Sequence, residues 1–359
     1  MTSGGSRDDL GNGLAAHSLA VLREGQHPSG AFVACPGYPI YQYAWLRDGS
    51  FCAYAMDVSG EHDSAAAFHR FVASTIRRNL GPGTSGEKER RLPARYTLTG
   101  ELERLGEEDW PNFQLDGYGT WLWTLRDHRT RGGTLDTGLL DTAGRTADYL
   151  AGMCHLPCYD CWEESGDRRH TSTLAAIIAG LEAAADLLDR QPLMDRAASL
   201  RRELDSPAHL RDGGYVKHDA SGAVDASLLW LSLPFGVVAA DDPRMAKTAE
   251  RIGAELTGPG GGIRRYLGDE FYGGGEWTLL TAWWGWYRAV LQDARGAREA
   301  ARWVEAAATE RGDLPEQLTD HPQFGDRVEP WERKWGPVAT PLLWSHAMYL
   351  VLDDALARL

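Results

Sequence analysis

Alternating runs of Val, Ile or Thr are almost missing from this chain of 359 residues, so a parallel sheet with crossover helices has little support. No apolar run approaches the ~20 residues that a membrane span needs. No basic block is longer than a few residues, and 51 acidic side chains against 37 basic ones leave a net charge of −14. That balance disfavours nucleic acid or an anionic lipid surface as partner; a neutral or cationic small molecule fits better. Cysteines number five, an odd count that suits reduced thiols. Met1 to Leu10 is polar and Gly-rich, with Asp8 and Asp9, and lacks the basic start and apolar core of a secretory signal. The expectation is a soluble, cytoplasmic protein whose oligomeric state the sequence leaves open. What is abundant is Trp, at 14, and Gly, at 41, which suggests aromatic platforms as well as core.

Apolar residues recur at three- and four-residue spacing from end to end. The best example is Leu174, Ile177, Ile178, Leu181 and Leu188, which predicts a helix over 171 to 190. Similar patterns cover 9 to 23, 49 to 59, 63 to 80, 114 to 129, 135 to 152, 192 to 205, 225 to 232, 242 to 256, 276 to 293, 295 to 309 and 339 to 357. Twelve helices without a sheet suggest helix pairs closed into a toroid, although no sequence self-similarity at a fixed period accompanies them. No linker or compositional break divides the chain, so one all-α domain over 1–359 is expected, with 1–8 flexible. Four long segments rich in Gly, Pro, Asp and aromatics, at 81 to 113, 154 to 169, 257 to 275 and 310 to 338, separate the helices. Loops of that length are usually functional or disordered, and Trp110, Trp162, Tyr266, Trp331 and Trp335 within them favour function.

Several of these loops carry chemistry. Tyr41-Gln-Tyr-Ala-Trp45-Leu-Arg47-Asp48 gathers rings, a guanidinium and a carboxylate: fixed donors and acceptors for vicinal hydroxyls, with an aromatic face for the C–H surface of a sugar ring. Trp110-Pro-Asn-Phe-Gln114-Leu-Asp116-Gly opens a helix. Asp160-Cys-Trp162-Glu163-Glu164 sets an indole and a second carboxylate beside Glu163, both of which would push a carboxyl pKa upward. Leu314-Pro-Glu316-Gln317 holds another carboxylate on a constrained loop. Taken singly, each has a bland reading: a capped helix start, a core tryptophan, a solvated acidic pair or a surface turn.

Three further patterns compete. Gly260-Gly-Gly-Ile-Arg264-Arg265-Tyr266 invites a phosphate-loop reading, which fails for want of a Lys-Ser/Thr ending and a preceding strand. Gly273-Gly-Gly-Glu-Trp277 stands at a helix start, where a ring could wall a pocket. Cys154-x3-Cys158-x2-Cys161 has the spacing of the iron–sulfur motif in radical S-adenosylmethionine enzymes, and His155 or His170 could add a zinc ligand. The helical pattern around it, without a strand series, favours reduced structural cysteines instead.

Together and in this order, the segments from about 41 to 338 resemble glycoside hydrolase family 15, the glucoamylase-like exo-acting enzymes. The resemblance rests on Tyr41-x3-Trp45-x-Arg47-Asp48, Trp110-x3-Gln114-x-Asp116-Gly117, Asp160-x-Trp162-Glu163-Glu164, an Arg-bearing loop ahead of Trp277, and Glu316-Gln317. It implies an (α/α)6 barrel, in agreement with the count of twelve helices. It also implies Glu163 as general acid and Glu316 as general base. Arg47 and Asp48 would clamp the 4- and 6-hydroxyls of the terminal glucose. Glu164 and Arg264 would bind its other hydroxyls or the next unit, with Arg265 the alternative to Arg264. Trp45, Trp110, Trp162 and Trp277 would wall the pocket, and Tyr41 would face the developing oxocarbenium charge.

On that reading Glu163 protonates the leaving oxygen while Glu316 activates a water on the opposite ring face. The configuration inverts, the carboxylates should stand about 6.5 to 9.5 Å apart, and neither metal nor organic cofactor is required. With no signal segment, starch-binding module or β-rich amino-terminal domain in evidence, a short α-glucoside is expected, isomaltose before maltose or trehalose. Competing readings are a cofactor-free sugar isomerase or epimerase on the same barrel, and a non-catalytic carbohydrate-binding protein.

Overall fold

The structure, a computed structural model, describes residues 7–80, 91–103 and 112–359. Its helices are α1 (Arg7–Glu24), α2 (Leu46–Val58), α3 (His62–Asn79), α4 (Asp116–Thr130), α5 (Thr137–Met153), α6 (Thr171–Leu188), α7 (Gln191–Leu204), α8 (Pro243–Arg251), α9 (Thr278–Val290), α10 (Ala294–Ala307), α11 (Gly325–Trp335) and α12 (Leu343–Ala357). A short 3-10 helix, Ala226–Leu231, lies between α7 and α8.

Six of these elements form a closed inner ring. α2 packs on α4, α4 on α6, α6 on the 3-10 helix, that helix on α9, α9 on α12, and α12 back on α2. The outer ring covers it: α1 against α12, α3 against α2, α5 and α7 against α6, α8 against the 3-10 helix, and α10 against α9. This is an (α/α)6 barrel, and the twelve periodic segments of the sequence are its twelve staves. The segment 225 to 232 is the one that forms a 3-10 helix, because Pro234 follows closely and the six residues are buried on every side, leaving no amphipathic face to specify a longer helix.

The two rings differ as burial requires. α6 is apolar all round, which by length and composition alone would let it cross a membrane, yet 83% of it is buried within the barrel. α10 buries Ala297, Ala300, Ala301 and Val304, at i, i+3, i+4 and i+7, and turns the Arg295–Glu299 pair to solvent. Where α4 and α6 cross, small residues let the backbones touch: a β-carbon on Gly180 would lie 2.5 Å from Gly119 Cα. The ring's centre is an aromatic plug in which Phe51 stacks on Trp344 (5.4 Å, 6°) and meets Trp283 edge-on at 4.8 Å, while Trp230 stacks on Trp283 at 5.5 Å.

The helix starts explain how a site can sit at one end. Outer helices α5, α8 and α10 begin on aspartate caps, Asp136, Asp242 and Asp293. Inner helices α2, α6, α9 and α12 begin on Trp45, His170, Trp277 and Leu342, none of which supplies a side-chain cap. Their first N–H groups donate instead to neighbouring backbone: Leu46 to Ala94, Thr171 to Lys217, Thr278 to Glu316 and Leu343 to Ala34. Two of these joints are short antiparallel pairs, β1 (Ala44–Trp45) with β2 (Arg95–Tyr96), and β5 (Glu276–Trp277) with β6 (Gln317–Leu318). A third pair, β3 (Leu210–Arg211) with β4 (Gly214–Tyr215), completes the strands among the described residues. α11 was not expected; it arises inside the 310 to 338 loop, buries no residue and contains Pro330, so no apolar periodicity announces it.

Candidate active site

A cavity of about 630 Å³ opens at the end of the barrel where the inner helices begin. Tyr41, Trp45, Arg47, Asp48, Trp162, Glu163, Glu164, Trp277 and Glu316 all line it. Trp344 lies against its inner end and belongs to the aromatic plug, so the cavity is blind. The positive amino-terminal ends of α2, α9 and α12 border it, a field that favours carboxylates there.

Glu163 owes its position to a tight turn. Asp160 Oδ1 accepts from the N–H groups of Trp162 and Glu164 at 2.9 Å each, and Glu163 N–H donates to the Asp160 carbonyl at 3.0 Å. The turn closes only with Glu163 at φ +68°, a left-handed conformation unusual for a side chain of this size. Burial raises its carboxyl from the ordinary range to about 7, opposed by the Arg47 charge and by the Trp45 indole N–H, which donates to Oε1 at 2.9 Å. The sequence suggested that the neighbouring indole and Glu164 would do the raising. Instead Trp162 donates its Nε1–H to Asp225, and Glu164 is held aside by the Tyr266 hydroxyl at 2.6 Å and by Lys217 at 3.4 Å.

Glu316, only 5% exposed, stands at the head of β6 and accepts from the Tyr41 hydroxyl through Oε1 at 3.2 Å. Its Oε2 has no hydrogen-bond partner in the protein. Burial pushes its carboxyl up to about 8, against the charge of Arg265 and the Tyr41 hydrogen bond. Tyr41 and Trp45 meet edge to face at 5.5 Å, so each carboxyl hangs from one member of an aromatic pair. The two carboxyls share no hydrogen bond.

Arg47, buried, donates to Gln114 at 2.7 Å and to Asp116 at 3.2 Å, and sits 3.2 Å from Asp48 and 5.4 Å from the Trp344 ring centre. Gln114 and Asp116, part of a sequence motif for their own sake, therefore serve to fix Arg47. Asp48 is raised to about 6 by burial, opposed by Arg47.

The expectation of Arg264 on the pocket wall is corrected. Arg264 leaves the site and donates to the His321 carbonyl at 2.9 Å, whereas Arg265 lines the cavity. Ile263 is bridged to Trp277 in extended backbone, and successive side chains of an extended chain point opposite ways, so only one of the two arginines can enter. Arg265 pairs with Asp269 and is boxed by the rings of Trp277 at 4.9 Å and Trp162 and Phe271 at 5.3 Å each. Trp110 lies outside the described residues.

Sequence reasoning did not single out Lys217, Asp225, Arg95 or Trp344 for the site. Lys217, 9% exposed, is the centre of a buried ion network, with its Nζ 3.3 Å from Asp225, 3.5 Å from Asp160 and 3.4 Å from Glu164. It raises no signal in sequence because its partners come from loops up to 57 positions away. Arg95 stacks over Trp45 at 4.7 Å, reached through the β1–β2 pair. At the cavity mouth α11 adds Trp331, Lys334 and Trp335, with Trp331 edge-on to Phe271 at 5.0 Å. All five cysteines are buried and outside any disulfide, and burial raises the Cys158 thiol to about 12.

The sequence profile of glycosyl hydrolases family 15 matches residues 12–319. The chain is similar to an isomaltose glucohydrolase from Kribbella flavida, 41% identical over 96% of this chain and 93% of that one. It is also similar to a glucoamylase from a Clostridium species, 24% identical over 95% of this chain and 52% of that protein. A solved glycosidase in complex with glucose superposes with a TM-score of 0.91 at 38% identity, covering 99% of this chain and all of the other. A bacterial glucoamylase complexed with acarbose shares the fold at a TM-score of 0.75 and 22% identity, over 97% of this chain and 56% of its own. This chain belongs to glycosyl hydrolases family 15 and is a glycoside hydrolase of the α-glucosidase type.

Proposed function

We propose that the enzyme is an inverting exo-α-glucosidase that frees β-glucose from the non-reducing end of isomaltose and short isomalto-oligosaccharides. The observation that carries this reading is the pair of buried carboxyls hung from Tyr41 and Trp45 across one blind cavity. Glu163 is the proton donor to the leaving oxygen. Glu316 is the base, and its Oε2, free of protein partners, is the atom that takes the proton from the attacking water. Arg47, Asp48 and Arg265 present charged edges to the hydroxyls of the bound ring, and Trp45, Trp162 and Trp277 its apolar walls. Identity to the isomaltose glucohydrolase across nearly the whole of both chains supports the α-1,6 linkage over α-1,4 or α,α-1,1.

Both carboxyls are raised by burial, so near neutral pH the pair can divide one proton between an acid and a base. The pH profile of kcat/KM reports which carboxyl holds that proton. Proton NMR of the first product anomer from isomaltose, maltose and trehalose should give β-glucose, fastest from isomaltose. Glu163→Gln and Glu316→Gln should each lower kcat on the order of 10²–10⁴-fold, with the acidic limb of the kcat/KM profile lost only in the Glu316 variant. Initial α-glucose, or either variant within a few-fold of the parent, would sink the mechanism.

A further inference from the structure

At the barrel end away from the cavity, the geometry points to a divalent-metal site of the zinc class formed by Asp57, His62 and His128. The three residues converge from the last turn of α2, the first turn of α3 and the last turn of α4. Asp57 Oδ1 lies 2.8 Å from His62 Nδ1, and both Asp57 oxygens lie 2.9 Å from His128 Nδ1. The ligating atoms all fall within 4.8 Å of one another. Four-coordinate zinc with bonds near 2.0–2.1 Å sets its donor atoms about 3.3 Å apart, so the Asp57 carboxylate would move from each imidazole by only about half an ångström, and the two imidazole nitrogens lie no more than 4.8 Å from each other. Two imidazoles, one carboxylate and a solvent molecule are a donor set that such an ion takes.

The surroundings favour a ligand. Asp57 and His128 are each 1% exposed, while the His62 side chain, at 44%, leaves one side of the cluster open to solvent for entry and for a bound water. His69, fully buried, packs its ring 5.0 Å from His128, and neither of its ring nitrogens has a hydrogen-bond partner. His62 and His69 are seven residues apart on α3, hence on one face, and both rings abut His128. A buried imidazole without partners calls for a reason, and a place beside a metal, as a fourth ligand after a small rotation, supplies one. Gly133 is needed here as well, since a β-carbon there would lie 2.2 Å from His128 Nε2.

The site is structural in purpose. Ten residues of α2 separate Asp57 from Arg47, about 15 Å at the helical rise, too far to touch substrate. An ion there would tie three helices at a corner the aromatic plug does not reach.

The test uses the full chain without an affinity tag, stripped with chelator and titrated with Co²⁺, followed by thermal melts in excess Zn²⁺. One equivalent of Co²⁺ should give the intense visible absorption of a tetrahedral site, and Zn²⁺ should raise Tm by ~3 °C or more. His62→Ala, which removes a half-exposed ligand and spares the core, should abolish both responses while folding and releasing glucose like the parent. Asp57→Asn should do the same to the metal response if it folds. Absence of both responses in the parent, or their persistence in His62→Ala, would overturn the assignment.

Discussion

Glu316 shows how far a barrel interior can move one side chain. Burial raises it to about 8, above the ordinary carboxylate range it keeps in the unfolded chain. Its contribution to stability is therefore complete below that ordinary range and is lost as pH climbs through 8, because ionising it inside the fold is harder than in water. Glu316→Gln should leave stability unchanged near pH 4 and add on the order of 2–4 kcal/mol at pH 9, read as a Tm gap between variant and parent that opens with pH. A gap of equal size at both pH values would remove burial of the charge as its cause. At this scale the sequence was legible where chemistry is packed into a few adjacent residues: Tyr41 to Asp48, Asp160 to Glu164, and Glu316 all reach one cavity. It was silent on Lys217 and undecided on Arg264 against Arg265. The first depends on partners far off in sequence, and the second on which way an extended strand faces, which adjacent identical residues cannot reveal.

Among elements, the turn that bears Glu163 depends on a cation outside it. Lys217 is the cation shared by Asp160, which holds that turn, Asp225, which holds its tryptophan, and Glu164, and Lys217→Met would leave the two buried carboxylates, Asp160 and Asp225, without their counter-charge. The expected loss is about 3–5 kcal/mol in denaturant melts, with kcat falling at least tenfold, and Asp225→Asn in the same chain should restore part of the stability. A variant as stable as the parent would mean that the network is dispensable. α11 is the opposite case. It buries nothing, so Trp331→Ala should hold Tm within about a degree, yet it should raise KM for isomaltose several-fold, since Trp331 borders the cavity mouth. An unchanged KM would take α11 out of substrate binding. Periodicity revealed the staves because their apolar faces must meet a neighbour. It could not reveal α11, whose side chains answer to solvent on most sides, nor foresee that Ala226–Leu231 would wind as a 3-10 helix.

For the molecule as a whole, closure is the condition of stability. α12 joins α9 to α2, so its loss would open the inner ring and bare the faces of Phe51 and Trp283, which Trp344 covers. A chain ending at Gly336 should show no cooperative unfolding transition and should bind a dye specific for exposed apolar surface; a two-state melt would show that the ring closes without its last stave. The twelve-stave count could be read from sequence because it sums many weak local signals, whereas the order in which inner and outer elements alternate became visible only through their contacts.

The plug behind Trp344 has a further consequence. With Phe51, Trp230 and Trp283 filling the axis of the barrel, the described residues leave no rear passage, and whatever enters the cavity leaves by the same mouth. After each turnover the shortened remnant has to depart before the freed sugar behind it can follow, and that sugar then contests the mouth with the next arrival. The enzyme is thereby built to let go of its chain after every cut, and its own product is its simplest competitive inhibitor.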